Sequence, residues 1–256
     1  MRKHIILTYH AISDESTRIA VPATRLRRQL SWLREHGFRC VTVSELLRDA
    51  SPGSAVALTF DDGFRSTYDI ALPLLAEFGF RATVFPIVAG LGSRIAWRTD
   101  EGPLPKYQMM TMGHVARLAA HGWEVGSHTM HHQCCVEREL PGLIQDLSES
   151  RSRIEDALGA LVTGFAYPQG CHNADALRAA EEAGYSWACT TIPGMVGSSA
   201  GRYALCRVNI GNSTSMARFR AAFSGSIQSA RRAVQSLRQP HYPHVHGPEV
   251  ETTVFE

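Results

Sequence analysis

The sequence predicts an α/β protein built on a parallel sheet. An incomplete or distorted (β/α) barrel is the expected form, with an open doubly wound sheet as the alternative. Three observations carry this reading. Short apolar runs alternate with helix-like segments six or seven times along the chain, the pattern of successive βα units. Glycines stand just past several helical segments, at Gly37, Gly79, Gly122 and Gly184, where a left-handed residue stops a helix. The 256 residues suit one large domain or two small ones. In either form the C-terminal ends of the strands share the face where active sites lie.

The elements follow in order. Residues 4–9 read as a strand, and 23–36 as a helix after Pro22, with Leu26, Leu30 and Leu33 at helical spacing. Residues 41–43 are a short strand, and Ser44 is the expected cap of a short helix over 45–50. The apolar run 55–60 is a buried strand, followed by a helix over 67–78 with Leu72, Leu75 and Phe78 on one face. Strands are expected at 82–87, 123–126, 164–167, 186–190 and 205–210, and helices at 111–121, 139–159 and 173–183. Residues 89–110 are irregular and contain Trp97, Pro103, Pro105 and Tyr107. Residues 213–238 form a basic helical segment beyond a domain spanning 1–212. Residues 239–256 contain three prolines and no apolar period, so a disordered tail is expected. Its His241, His244 and His246 are read as solvated.

Composition excludes more than it selects. With 44% hydrophobic and 20% charged residues the chain is an ordinary globular protein. A net charge of +2 argues for neither nucleic acid nor membrane. No run reaches the ~20 apolar residues of a membrane span, and Ile5 to Tyr9 is too short and β-like for a signal sequence. A cytoplasmic location is expected, with peripheral membrane association through the basic segment as an option. The six cysteines show no CxxC pair and are expected as reduced thiols. Oligomeric state is not legible.

Two stretches carry chemistry. In Leu58-Thr59-Phe60-Asp61-Asp62-Gly63 a buried strand delivers two adjacent carboxylates to the rim of the sheet. Two such groups can hold a metal and a proton. In Gly126-Ser127-His128-Thr129-Met130-His131-His132 a strand ends in imidazoles separated by four residues. That spacing lets two of them face one divalent ion. With one carboxylate from the Asp pair they make a His₂-carboxylate site with open positions for water and substrate. His131, three residues from His128, is geometrically a competing ligand.

These motifs resemble the polysaccharide deacetylases, the carbohydrate esterase family with the NodB homology domain. Thr59-Phe60-Asp61-Asp62-Gly63 looks like the first motif of that family, and His128-Thr129-Met130-His131-His132 like its H-[ST]-x-x-H second motif. Phe165-Ala166-Tyr167-Pro168-Gln169-Gly170 resembles the third, and Gly184-Tyr185-Ser186-Trp187 sits where the fourth lies. The resemblance covers roughly residues 4–212. It implies a distorted (β/α) barrel of the NodB type and metal-dependent removal of acetyl groups from N-acetylated amino sugars. By that resemblance Asp62, His128 and His132 bind the metal, and Asp61 is the general base. Zinc is the first choice of ion, with cobalt, nickel or manganese as alternatives. A backbone N–H between Tyr167 and Gln169, around Pro168, would serve the oxyanion, and Trp187 would line the pocket.

The chain also departs from the family. Ala166 stands where many members place the Arg that holds the base, and no Leu-x-His motif supplies an acid near 205–210. Two replacements are at hand. Arg207, on the last strand, is the expected cation beside Asp61. His10, closing the first strand in Thr8-Tyr9-His10, is the expected acid, and a Tyr-His there also looks like the branch acting on bacterial exopolysaccharides. Trp97 is a candidate sugar contact, and Trp123 is expected in the core. The partner expected is an N-acetylated amino-sugar polymer, oligosaccharide or glycan precursor. Hydrolysis of another linear amide, and an inactive carbohydrate-binding homologue, are the competing readings.

Overall fold

Parallel strands alternate with helices along the chain, in a computed structural model that describes residues 4–49, 53–99, 102–103, 107–196, 201–224, 227–228 and 246–251. The strands are β1 (His4–Tyr9), β2 (Ala11–Ile12), β3 (Ala20–Val21), β4 (Arg39–Val41), β5 (Ala55–Asp62), β6 (Thr83–Pro86), β7 (Arg94–Thr99), β8 (Gly102–Pro103), β9 (Tyr107–Gln108), β10 (Glu124–Val125), β11 (Gly164–Ala166), β12 (Trp187–Cys189), β13 (Val208–Asn209) and β14 (His246–Glu251). The helices are α1 (Ala23–Glu35), α2 (Val43–Arg48), α3 (Leu72–Glu77), α4 (Met112–Ala120), α5 (Leu140–Leu158), α6 (Ala174–Glu182) and α7 (Met216–Ala221).

One parallel sheet runs β10-β6-β5-β1-β13, with β4 pairing along the first half of β5. A second parallel pair, β11-β12, stands apart from it. Single bridges link the two, Ser127 to Phe165 on one side and Cys189 to Leu205 on the other. The circuit is a distorted (β/α) barrel rather than a continuous hydrogen-bonded ring. β5 is its centre: all eight residues are buried, with β1 on one edge and β4 then β6 on the other. Apolar residues on both faces fit a strand covered on both sides.

The base of the barrel is plugged. α2 starts two residues before the expected position, because Thr42, not Ser44, is the cap. The Thr42 hydroxyl accepts from the Glu45 N–H and the Glu45 carboxylate accepts from the Thr42 N–H, a capping box that the Thr-x-x-Glu spacing encodes. Val43 and Leu46 then pack inside the barrel with Ile6, Ala57, Phe85, Ala166 and Trp187. The expected helix over 67–78 opens with a π turn, Thr67–Ala71, before α3. Pro73 lacks the N–H that a regular ladder would need there. The last strand is shorter than expected, only Val208–Asn209.

The irregular stretch after β6 is folded: β7, β8 and β9 form an antiparallel ribbon joined by β14. Within the tail expected to be disordered, His246–Glu251 is therefore a strand, supplied with a partner by β7. Of the basic segment, α7 is described. Its Arg218 and Arg220 are exposed, while Phe219 and Phe223 are buried against Trp32 and Phe38. His241 and His244 lie outside the described residues. All six cysteines are free and buried, and Trp123 is in the core. No described helix is long and apolar enough to cross a membrane.

Candidate metal centre

The carboxylates and imidazoles meet at the C-terminal ends of β5 and β10. β5 ends on Asp61 and Asp62, which pair with Phe85 and Pro86 of β6. Gly63 makes the turn at φ 86, and a Cβ there would press on Pro86 at 3.0 Å, so only glycine fits. Beyond β10, the His128 N–H donates to the Pro86 carbonyl, tying the second loop to the first.

Asp62, His128 and His132 each offer one ligand atom, all within 4.8 Å of one another and all buried. Asp62 Oδ1 lies 3.4 Å from Nε2 of each imidazole. His128 Nδ1 is 2.7 Å from the Ala166 carbonyl. A carbonyl only accepts, so Nδ1 carries a hydrogen and Nε2 is the ring atom turned to Asp62. Burial, with the neighbouring His128 and His10, pushes His132 down to about 4 against the pull of Asp62. His132 is therefore neutral at pH 7. Burial also opposes ionisation of Asp62, but the His128 contact and the nearby imidazoles prevail and hold its carboxyl below the ordinary range. A carboxylate oxygen without a hydrogen-bond partner thus faces two imidazole Nε2 atoms in a buried cleft. That donor set fits a divalent cation.

His131 is exposed and turned away from the cluster, whereas His132 is 7% exposed. The backbone makes this choice. Asp62, Thr129, His132 and Gln169 are the non-glycine residues with positive φ among those described, at 70°, 66°, 58° and 58°. All four belong to the motifs at this end of the barrel, and strain of about 1–3 kcal/mol per residue typically collects at functional sites. The Thr129 hydroxyl accepts the His132 N–H at 2.9 Å and holds the turn.

Asp61 is held by Arg207. Nη1 and Nη2 donate to Oδ1 and Oδ2 at 2.8 and 2.7 Å, and both side chains are buried. Arg207 also donates to the Thr59 hydroxyl at 3.1 Å and through Nε to the Thr190 carbonyl at 2.9 Å. Burial works against a charged Asp61, and the guanidinium outweighs it, so the carboxyl stays below its usual range. His10 is half-buried at the end of β1, near enough to act electrostatically on Asp61, Asp62 and His132.

Of the expected backbone donors, the Tyr167 N–H is spent on the Cys189 carbonyl and Pro168 has none, while Gln169 sits in a left-handed turn. The Tyr167 ring is fully buried and its hydroxyl bonds the Tyr203 carbonyl, so it presents no face to a sugar. Trp187 is not brought to the site. It opens β12, at the opposite end of the strands, with Nε1 bonded to the Ser44 hydroxyl 3.0 Å away and its indole against Gly164. The Trp97 side chain lies outside the described residues. Thr59, Thr129 and the Ala166 carbonyl were missed as functional groups. The two threonines stand inside the Asp-Asp and His motifs, which is the signal that marks them.

Comparison with known proteins agrees with this geometry. A family model described as polysaccharide deacetylase matches residues 48–188, and the YxkH protein of Bacillus subtilis (strain 168) is 30% identical over 236 residues, 88% of this chain and 76% of its own length. The chain belongs to the polysaccharide deacetylase family. Among other members, the poly-beta-1,6-N-acetyl-D-glucosamine N-deacetylase of Staphylococcus aureus (strain MRSA252) is 24% identical over 192 residues, 70% of this chain and 63% of that one. The Streptococcus pyogenes deacetylase PplD, solved in complex with acetate, shares the fold with a TM-score of 0.74 at 23% identity, covering 87% of this chain and 98% of that one. Where many members of the family place an arginine this chain has Ala166, and Arg207, immediately before β13, stands against Asp61 instead.

Proposed function

We propose that this polysaccharide deacetylase hydrolyses the N-acetyl group of an amino-sugar polymer or oligosaccharide, with zinc as the ion held by Asp62, His128 and His132. The observation that carries the reading is the convergence of the orphaned Asp62 Oδ1 and two imidazole nitrogens beside an ionised Asp61. The name of the S. aureus relative supports a poly-N-acetylglucosamine substrate.

When bound, the cation would polarise the acetyl carbonyl and acidify a water. Asp61 accepts the proton of the attacking water on a carboxylate whose orientation Arg207 fixes. The Arg pair leaves Asp61 a weak base, which suits a water already acidified. Gln169, directly after Pro168, is assigned the backbone N–H that would serve the oxyanion. His10 returns a proton to the departing sugar amine, without which the amine is a poor leaving group. Acetate release from a panel of N-acetylglucosamine polymers and oligomers tests the reading; no release from any of them, by protein shown to carry metal, would remove it.

A further inference from the structure

Between its two imidazole ligands the chain passes through Thr129, Met130 and His131, with left-handed backbone at Thr129 and His132. Such a turn persists only where its surroundings over-determine it. From one side, Val88 N–H donates to the Thr129 carbonyl and Ala89 N–H to the Met130 carbonyl. From the other side comes α5. Its buried stripe is Leu143, Asp146, Leu147, Ser150 and Ile154, and two of these are polar. Asp146 is 7% exposed. Its Oδ1 accepts the Met130 N–H at 3.0 Å, and its Oδ2 accepts from Arg138 Nη1 at 2.8 Å. One turn along the helix, the Ser150 hydroxyl accepts from the Ser127 hydroxyl at 2.9 Å and donates to the Leu147 carbonyl at 3.0 Å. The same helix face therefore grips the chain immediately before His128 and two residues after it. A buried carboxylate in a core-facing stripe is costly unless paired, and here its pairing is with the turn that sets the two imidazoles.

We propose that Asp146, backed by Arg138, is a positioning residue for the metal centre, fixing the 128–132 turn and so setting how tightly and in what geometry the three ligands take a cation. This rests on the metal-centre reading above. Asp146 works through the Met130 N–H. Without its charge the turn relaxes from its left-handed angles, and the His128 and His132 nitrogens lose their common focus. Orienting partners of metal ligands typically change affinity by about 10- to 100-fold.

The test is calorimetric zinc titration of the full chain after chelation, with the visible spectrum of the cobalt-loaded protein and thermal unfolding of the metal-free form. Asp146→Ala is expected to weaken zinc binding by about 10- to 100-fold and to alter the cobalt spectrum. Asp146→Asn, which keeps an acceptor but no charge, and Arg138→Gln are each expected to weaken zinc several-fold. Leu143→Ala, on the same stripe but with no polar group to bond the turn, lowers metal-free stability and leaves zinc affinity and the cobalt spectrum as in the wild type. Wild-type affinity and spectrum in folded Asp146→Asn and Arg138→Gln would overturn the proposal, even if Asp146→Ala does not fold. A wild type that takes no metal would overturn the metal-centre reading itself, and the proposal with it.

Discussion

Arg207 grips Asp61 with two guanidinium nitrogens, at 2.8 and 2.7 Å, across 146 residues of chain and out of reach of solvent. A pair this buried is strong as a geometric device and weak as a source of net stability. Desolvation of both ions offsets most of their attraction. Its value lies in presenting one carboxylate, ionised and oriented, beside the metal ligands.

Removing one partner leaves the other charge buried alone. Arg207→Met is expected to cost about 3–5 kcal/mol of stability and to abolish acetate release. Asp61→Asn with Arg207→Met should recover much of that stability and none of the activity. Urea unfolding of the two variants checks this; a double variant as unstable as Arg207→Met alone would count against it.

His10 is assigned the proton that the leaving amine needs. His10→Ala should lower kcat by about 10²- to 10⁴-fold and leave zinc affinity close to wild type. A variant that loses zinc instead of turnover would place His10 among the ligands; unchanged turnover would remove it as the acid.

The two adjacent histidines separate cleanly. His132→Ala should abolish high-affinity zinc binding, and His131→Ala should leave it intact, because one imidazole faces Asp62 and the other faces solvent. Equal losses in both would mean that the turn holds a different pair.

Buried His132 also gives the metal-free protein a pH dependence. Its folded value of about 4 lies below the ordinary 6.5. As pH falls below 6.5 the unfolded chain takes up a proton that the folded chain refuses, so stability declines from pH 6.5 to about 4 and then levels. This group alone contributes a loss of about 3 kcal/mol at the plateau. Metal-free His132→Gln should lack this component; an identical pH slope in the variant would contradict it.

The site was legible where its residues are contiguous. Asp61-Asp62 and His128 with His132 stand in short segments whose spacing carries the chemistry, and β5 is legible as an unbroken apolar run ending in acids. Arg207 was reachable only by asking what could replace a missing cation, since nothing local ties it to Asp61. Trp187 was misplaced because a motif's position along the chain does not say which end of the barrel a strand's first residue occupies. The start of α2 was missed because Thr42 also suits a strand, although Glu45 completes its capping box. The β7–β9 ribbon was illegible for another reason: Pro103 and Pro105 interrupt its pattern, and its further partner, β14, is distant in sequence.

Acetate release from an N-acetylglucosamine oligomer, measured before chelation, after it, and after one equivalent of zinc is returned, tests the central claim most directly. Activity should vanish with the metal and return with it in the wild type, and His128→Ala should stay inactive throughout. Equal rates with and without metal in the wild type would contradict the assignment of Asp62, His128 and His132.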